Sequence, residues 1–289
     1  MRFTKMHGLG NDYVYIDGHD QDLEGYDLGR LSALVSDRHF GVGSDGLILI
    51  LPSEIADFRM RIFNPDESES NMCGNGMRSC AKYVYEHGLT DKTELTFETL
   101  GGIVKPSLTV DDGKVTSITV DMGPARPARK MVPFTNGGDP DEPAINEELD
   151  VDGEIVRVTA VSVGNPHCII FVDDVTTAPV NELGPKVEKH PMFPNRTNVE
   201  FIQVLDRTHV KMRVWERGAG ETLACGTGAS ATCVACALND RTDRAIEVQL
   251  LGGNLDIEWR DDNHVFMTGP AVEVYAGILP DEFLAPARV

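Results

Sequence analysis

Cys73-Gly74-Asn75-Gly76 and Cys225-Gly226-Thr227-Gly228 are two versions of one motif, 152 residues apart. The same offset relates Met60-Arg61-Ile62-Phe63-Asn64 to Met212-Arg213-Val214-Trp215-Glu216, and Glu69 to Glu221. Upstream, Gly10-Asn11 returns as Gly164-Asn165 at an offset of 154. Downstream, Gly101-Gly102 matches Gly252-Gly253, and Gly123-Pro124-Ala125 matches Gly269-Pro270-Ala271. Matches in one order across most of the chain indicate an internal duplication, which decides the fold before any local feature is read.

Each half carries the same pattern. Residues 13–16 and 168–172 read as strands by their β-branched and aromatic content, as do 47–51 and 199–202, then 59–63 and 210–215. Residues 28–35 place apolar side chains at helical spacing, and 77–86 and 229–238 read as helices just after each Cys-Gly-x-Gly. Strands return at 93–99 and 246–250, and the acidic, Pro- and Gly-bearing stretch 136–150 reads as a surface loop. The expected fold is α+β: two pseudo-symmetric domains, each a mixed sheet wrapped around a central helix, with the active site in the cleft between them. The expected domains are residues 1–122 with 271–289, and residues 123–270.

The 289 residues suffice for two cores, and 41% hydrophobic with 25% charged residues is ordinary for a soluble globular chain. No apolar run is long enough to span a membrane, and the first residues, Met1 to His7, hold no secretory h-region. A net charge of −20 repels nucleic acid and anionic lipid, so neither is an expected partner. Without a leader, the six cysteines read as reduced intracellular thiols in a cytoplasmic protein.

A cysteine at a helix entry meets outward-pointing N–H groups and the positive end of the helix dipole, while glycines let a ligand approach the backbone. Such a site favours a carboxylate and is expected to lower the thiol pKa. Two such sites, related by duplication, suit inversion at carbon: one group removes a proton from one face and the other returns a proton to the opposite face. Cys80, Cys168 and Cys233 are expected to pack inside, and Cys233-x-x-Cys236 falls within a helix. No second close pair of Cys or His completes a zinc set, so no metal is expected. Gly41-Val42-Gly43-Ser44-Asp45-Gly46 has the letters of a dinucleotide fingerprint, but a helix precedes it and a strand follows, the reverse of what that motif requires.

The chain resembles the diaminopimelate epimerases. The matching stretches are Met6-His7-Gly8-Leu9-Gly10-Asn11-Asp12, Cys73-Gly74-Asn75-Gly76-Met77-Arg78, Gly164-Asn165-Pro166-His167-Cys168, Glu216-Arg217-Gly218-Ala219-Gly220-Glu221-Thr222, Ala224-Cys225-Gly226-Thr227-Gly228-Ala229 and Met267-Thr268-Gly269-Pro270-Ala271. The resemblance implies cofactor-independent epimerisation of LL-diaminopimelate to the meso form, in lysine and peptidoglycan-precursor synthesis, by a homodimer. It implies that Cys73 and Cys225 are the acid–base pair and that His167 and Glu216 tune them. Gly74-Asn75 and Gly226-Thr227 would cradle the reacting carboxylate, with Asn11, Asn64, Asn165, Asn198, Glu216 and Arg217 holding the distal amino and carboxylate groups. Some members carry Gln where this sequence has Gly46. Two other readings are a proline-type racemase on the same fold, which typically shows His where this chain has Asn75, and a non-enzymatic or redox-sensing binding protein using the same thiols.

Overall fold

Leu9 and Gly10 take φ values of 58° and 87°, the backbone of a tight two-residue turn whose twist matches the flanking strands. The turn joins β1 (Arg2–Gly8) to β2 (Asn11–Asp17) and puts Asn11 at the head of its strand, opposite Gly8. The computed structural model describes residues 1–289 and divides into two compact units, Met1–Val120 with Gly269–Val289, and Asp121–Thr268.

In the first unit, helix α1 (Leu28–Ser36) carries the chain from β2 to β3 (Leu47–Leu51), which lies parallel to β2. The strand β4 (Phe58–Phe63) folds back antiparallel and holds the short β5 (Glu69–Ser70). Helix α2 (Gly74–Glu86) leads to β6 (Phe97–Thr99), parallel to β4, and β7 (Gly102–Val104) closes a hairpin. A further hairpin pairs β8 (Pro106–Asp111) with β9 (Lys114–Pro124).

The second unit repeats this path. Strands β10 (Ala144–Val151), β11 (Glu154–Ser162) and β12 (Pro166–Phe171) form a meander. Helix α3 (Val180–Glu188) crosses to β13 (Asn198–Val204), parallel to β12, and β14 (His209–Glu216) returns with β15 (Gly220–Thr222) at its side. Helix α4 (Gly226–Leu238) crosses to β16 (Ala245–Leu250), parallel to β14, and β17 (Gly253–Trp259) and β18 (His264–Gly269) follow. The strand β19 (Val272–Ile278) then rejoins the first unit antiparallel to β1. Within the first unit one sheet runs in the order β19-β1-β2-β3-β4-β6-β7, and the strands of the second unit run β10-β11-β12-β13-β14-β16-β17-β18. The α+β class and the duplication are therefore those of the sequence reading.

Alternation along the strands sends one set of side chains to each sheet face. Val14, Ile16, Leu47 and Leu49 pack with Leu31 and Val35 of α1. Cys168, Ile170, Val199 and Phe201 pack with Val187 of α3 and with Phe193. In α4 nearly every residue from Gly226 to Cys236 is buried, which explains its run of small side chains. Each fully buried Val, Leu, Ile or Phe contributes about 1.5–3 kcal/mol, so the cores outweigh any single surface contact.

Two local expectations change. Half of the stretch read as a loop, Ala144–Val151, is an edge strand: Ala144, Leu149 and Val151 point inward and the acidic residues face solvent. Charge on an exposed edge imitates loop composition. Strand character between 93 and 99 is confined to Phe97–Thr99.

Candidate active site

Cys73 caps α2 from an extended backbone, its Sγ accepting from the N–H of Gly76 at 3.4 Å. A Cβ at 76 would lie 2.6 Å from Ile48 Cδ1 on β3, so any larger residue there would have to displace that side chain. Two residues of β2 converge on the same sulfur. Sγ donates to Asn11 Oδ1 at 3.6 Å, and the Tyr13 hydroxyl donates to Sγ at 3.7 Å. Asn75 Nδ2 donates to that same Asn11 oxygen at 3.3 Å, while Asn11 Nδ2 donates to Asp45 at 2.8 Å, fixing which way the amide faces. Arg78, one turn into α2, is wholly buried and gives its Nε–H to the carbonyl of Pro270. Its charge, Tyr13 and the helix-start N–H groups favour a thiolate, yet burial outweighs them and pushes the Cys73 thiol up. Burial also draws Arg78 down to about 10.

Cys225 takes the N-cap position of α4 from a similarly extended backbone, but without a side-chain hydrogen bond to the helix, and is 5% exposed. A side-chain relay leads away from it. Sγ meets Thr227 Oγ1 at 3.5 Å, and Asn165 Nδ2 donates to that hydroxyl at 3.4 Å. Asn165 Oδ1 meets His167 Nε2 at 2.9 Å, and His167 Nδ1 meets Glu200 Oε1 at 2.7 Å. Neither the His167 nor the Glu200 side chain is exposed. Burial pushes the Cys225 thiol well up, and the Glu216 and Glu200 carboxylates add to it. Glu200 is itself raised, burial outweighing the pull of His167. The lowering of thiol pKa expected from a helix N-terminus is therefore not the net effect at either cysteine, because desolvation is larger.

The remaining expected residues stand further from the sulfurs' own hydrogen bonds. Asn64 spends its amide on Ser68 and Ser70, at 2.9 and 3.0 Å, within the turn after β4. Asn198 is a brace, donating to the Pro166 carbonyl and accepting from the Arg217 N–H, both at 2.9 Å. The Arg217 guanidinium donates to the Asn195 carbonyl at 2.9 Å. Glu216 accepts from the Thr222 hydroxyl. Gly74 and Gly226 open their helices, with no side chain to cover the first N–H groups.

Tyr13, Arg78 and Glu200 stand around the two thiols without being among the site residues that the sequence reading names. Glu200 had a readable signal: a lone acid inside Val199-Glu200-Phe201-Ile202 must be paired if that strand is buried. Tyr13 had none, because an aromatic residue belongs in a strand on packing grounds alone.

The repeat shows that the two half-sites are built alike but charged differently. Arg61 Nε holds Glu69 at 2.7 Å, as Arg213 Nε holds Glu221 at 2.7 Å. Around the sulfurs the copies diverge: Ile48 corresponds to Glu200, Asn64 to Glu216, and Tyr13 to His167. One thiol has neutral hydrogen-bonding groups and the buried Arg78 charge around it, and the other has carboxylates.

The model of the diaminopimelate epimerase family matches residues 3–127 and 159–274. A diaminopimelate epimerase of Moorella thermoacetica is 56% identical over 281 residues, covering 97% of this chain and 99% of that protein. One of Methanococcus maripaludis is 50% identical over 278 residues, covering 96% and 99%. Among solved structures, a phenazine biosynthesis protein of the PhzF family from Bacillus anthracis aligns with a TM-score of 0.69 at 20% identity, over 97% of this chain and 99% of that one. A hydroxyproline epimerase from Agrobacterium vitis aligns with a TM-score of 0.65 at 16% identity, over 96% and 91%. The two structural likenesses speak for the fold alone.

Proposed function

The chain belongs to the diaminopimelate epimerase family, and we propose that it inverts one α-carbon of diaminopimelate, LL to meso, with Cys73 and Cys225 as the two acid–base groups. The observation that carries this reading is the duplicated half-site: a cysteine N-cap, a helix start clad in glycine, and an asparagine set by the preceding strand, occurring once in each unit. In one direction a thiolate takes the α-proton while the opposing thiol gives its proton to the other face. The resulting enzyme carries the same single charge on the other sulfur, so no cofactor is consumed. The N–H groups at Gly74-Asn75 and Gly226-Thr227 hold the α-carboxylate and stabilise charge that spreads onto it. His167 and Glu216 set the protonation of the thiols.

Asn11, Asn64, Asn165, Asn198, Glu216 and Arg217 are assigned to the distal amino-acid head, where an Arg fork suits a carboxylate and amide or carboxylate oxygens suit an ammonium. The enzyme would serve lysine and peptidoglycan-precursor synthesis in the cytoplasm, as a homodimer. The sheet edge supports the dimer: β19 has β1 on one side only, and its Val274 and Ile278 are 54% and 75% exposed.

The test is turnover in heavy water without added cofactor. LL-diaminopimelate is expected to give the meso isomer with deuterium at the inverted carbon. Cys73→Ala and Cys225→Ala are each expected to lower kcat by at least about 10²–10⁴-fold, the worth of a positioned acid or base. Inversion without deuterium uptake would exclude the two-thiol reading.

A further inference from the structure

We propose that Tyr13 is a positioning residue for Cys73, its hydroxyl holding the sulfur and stabilising the thiolate, a task for which the other half-site has a different chemistry. The inference rests on the reading of Cys73 as an acid–base group. Tyr13 lies on β2 two residues beyond Asn11, on the same strand face, and both side chains reach Sγ. Their roles are complementary. Asn11 Oδ1 accepts from the thiol, a bond that exists only while sulfur is protonated, whereas the Tyr13 O–H and the Gly76 N–H donate to sulfur and strengthen when it is charged. Together they let the sulfur gain and lose a proton with little movement.

Space for the ring comes from Gly46, the position where some family members carry Gln. A Cβ at 46 would lie 3.0 Å from Tyr13 Cε1 and 2.5 Å from the Phe63 carbonyl, and Gly46 adopts φ 157°. A longer residue there would push the ring from the sulfur. Burial holds the phenol well above its ordinary range, so it remains a donor at any pH at which the enzyme works. At the repeat-equivalent position the chain has His167, bonded to Glu200 and Asn165 rather than to a sulfur. A group that can itself ionise has thus been used in one copy and a group fixed as a donor in the other.

The experiment is the pH dependence of iodoacetamide alkylation at Cys73, read by peptide mass spectrometry in the whole protein, for wild type, Tyr13→Phe and Tyr15→Phe. Losing a hydrogen bond to a charged sulfur is expected to move the Cys73 midpoint up by about one pH unit, so that alkylation at neutral pH slows about tenfold. Tyr15, also buried on β2 but with its hydroxyl bonded to no sulfur, is the control and should leave the midpoint in place. An unmoved midpoint in Tyr13→Phe, or an equal rise in Tyr15→Phe, overturns the proposal. Thermal midpoints of the three proteins show that each is folded. Alkylation needs no turnover, so failure here is distinct from failure of the epimerase assay.

Discussion

Glu200 is the residue on which the second unit is most exposed to perturbation. Its carboxylate and the His167 imidazole are fully buried and 2.7 Å apart, and Oε1 also sits 2.8 Å from where a Cβ at Gly228 would be. Glu200→Ala removes one partner, leaves the imidazole unsatisfied and opens a cavity beneath α4. Breaking a buried pair in this way costs about 3–5 kcal/mol. With each kcal/mol worth about 2–4 °C in Tm for a unit or chain of this size, the expected drop is roughly 6–20 °C. Glu200→Gln keeps the volume and an oxygen for His167 Nδ1 to meet, so its cost should be a minor part of that. The pH dependence follows from the raised Glu200. A group whose folded pKa lies above its unfolded value contributes stability below the unfolded pKa, near 4.5, and loses it as pH rises through the folded value. Gln cannot ionise, so Glu200→Gln should gain on wild type as pH climbs above about 4.5. Calorimetric scans of the three proteins from pH 4.5 to 8 test this. A loss below about 1 kcal/mol in Glu200→Ala, or equal losses in Ala and Gln variants, would refute the buried-pair argument.

Two further outcomes are expected. Gly228→Ala brings a methyl group to 2.8 Å from Glu200 Oε1 and 3.3 Å from Cys225 Sγ, so it should cost about 1–3 kcal/mol by overpacking and disturb Cys225; urea midpoints and Cys225 alkylation rates measure both. Val274→Lys puts a charge on the exposed β19 edge and should shift sedimentation from dimer to monomer with little change in monomer stability; an unaltered dimer would place the interface elsewhere.

The fold was legible because duplication prints each structural demand twice. The glycines at 76 and 228 are each approached closely by a side chain, from β3 and β13 respectively, and the matched Arg61–Glu69 and Arg213–Glu221 pairs explain why both ends of that span recur at one offset. The cysteine caps were legible for the same reason. What stayed hidden is where the copies differ. Tyr13 and Arg78 gain their roles from partners on other elements, and nothing in the linear order of β2 or α2 announces them, while Glu200 shows only as a lone acid in an apolar strand, without its partner. The net rise in both thiol pKa values was equally out of reach, since spacing reveals the dipole but not the depth of burial. The hydrogen bonds of Asn198 to the Pro166 carbonyl and the Arg217 N–H were likewise out of reach, since its partners lie on other segments.

The pairing of β19 with β1 makes the second unit an insertion within the first. Residues 121–268 are contiguous in the chain, whereas β1 waits for residues 272–278 before its open flank is covered. The half holding Cys73 is therefore the last to have all its strands, although its residues are translated first. A released chain truncated at Gly269 should resist protease in the later-coded half and remain susceptible in the earlier one.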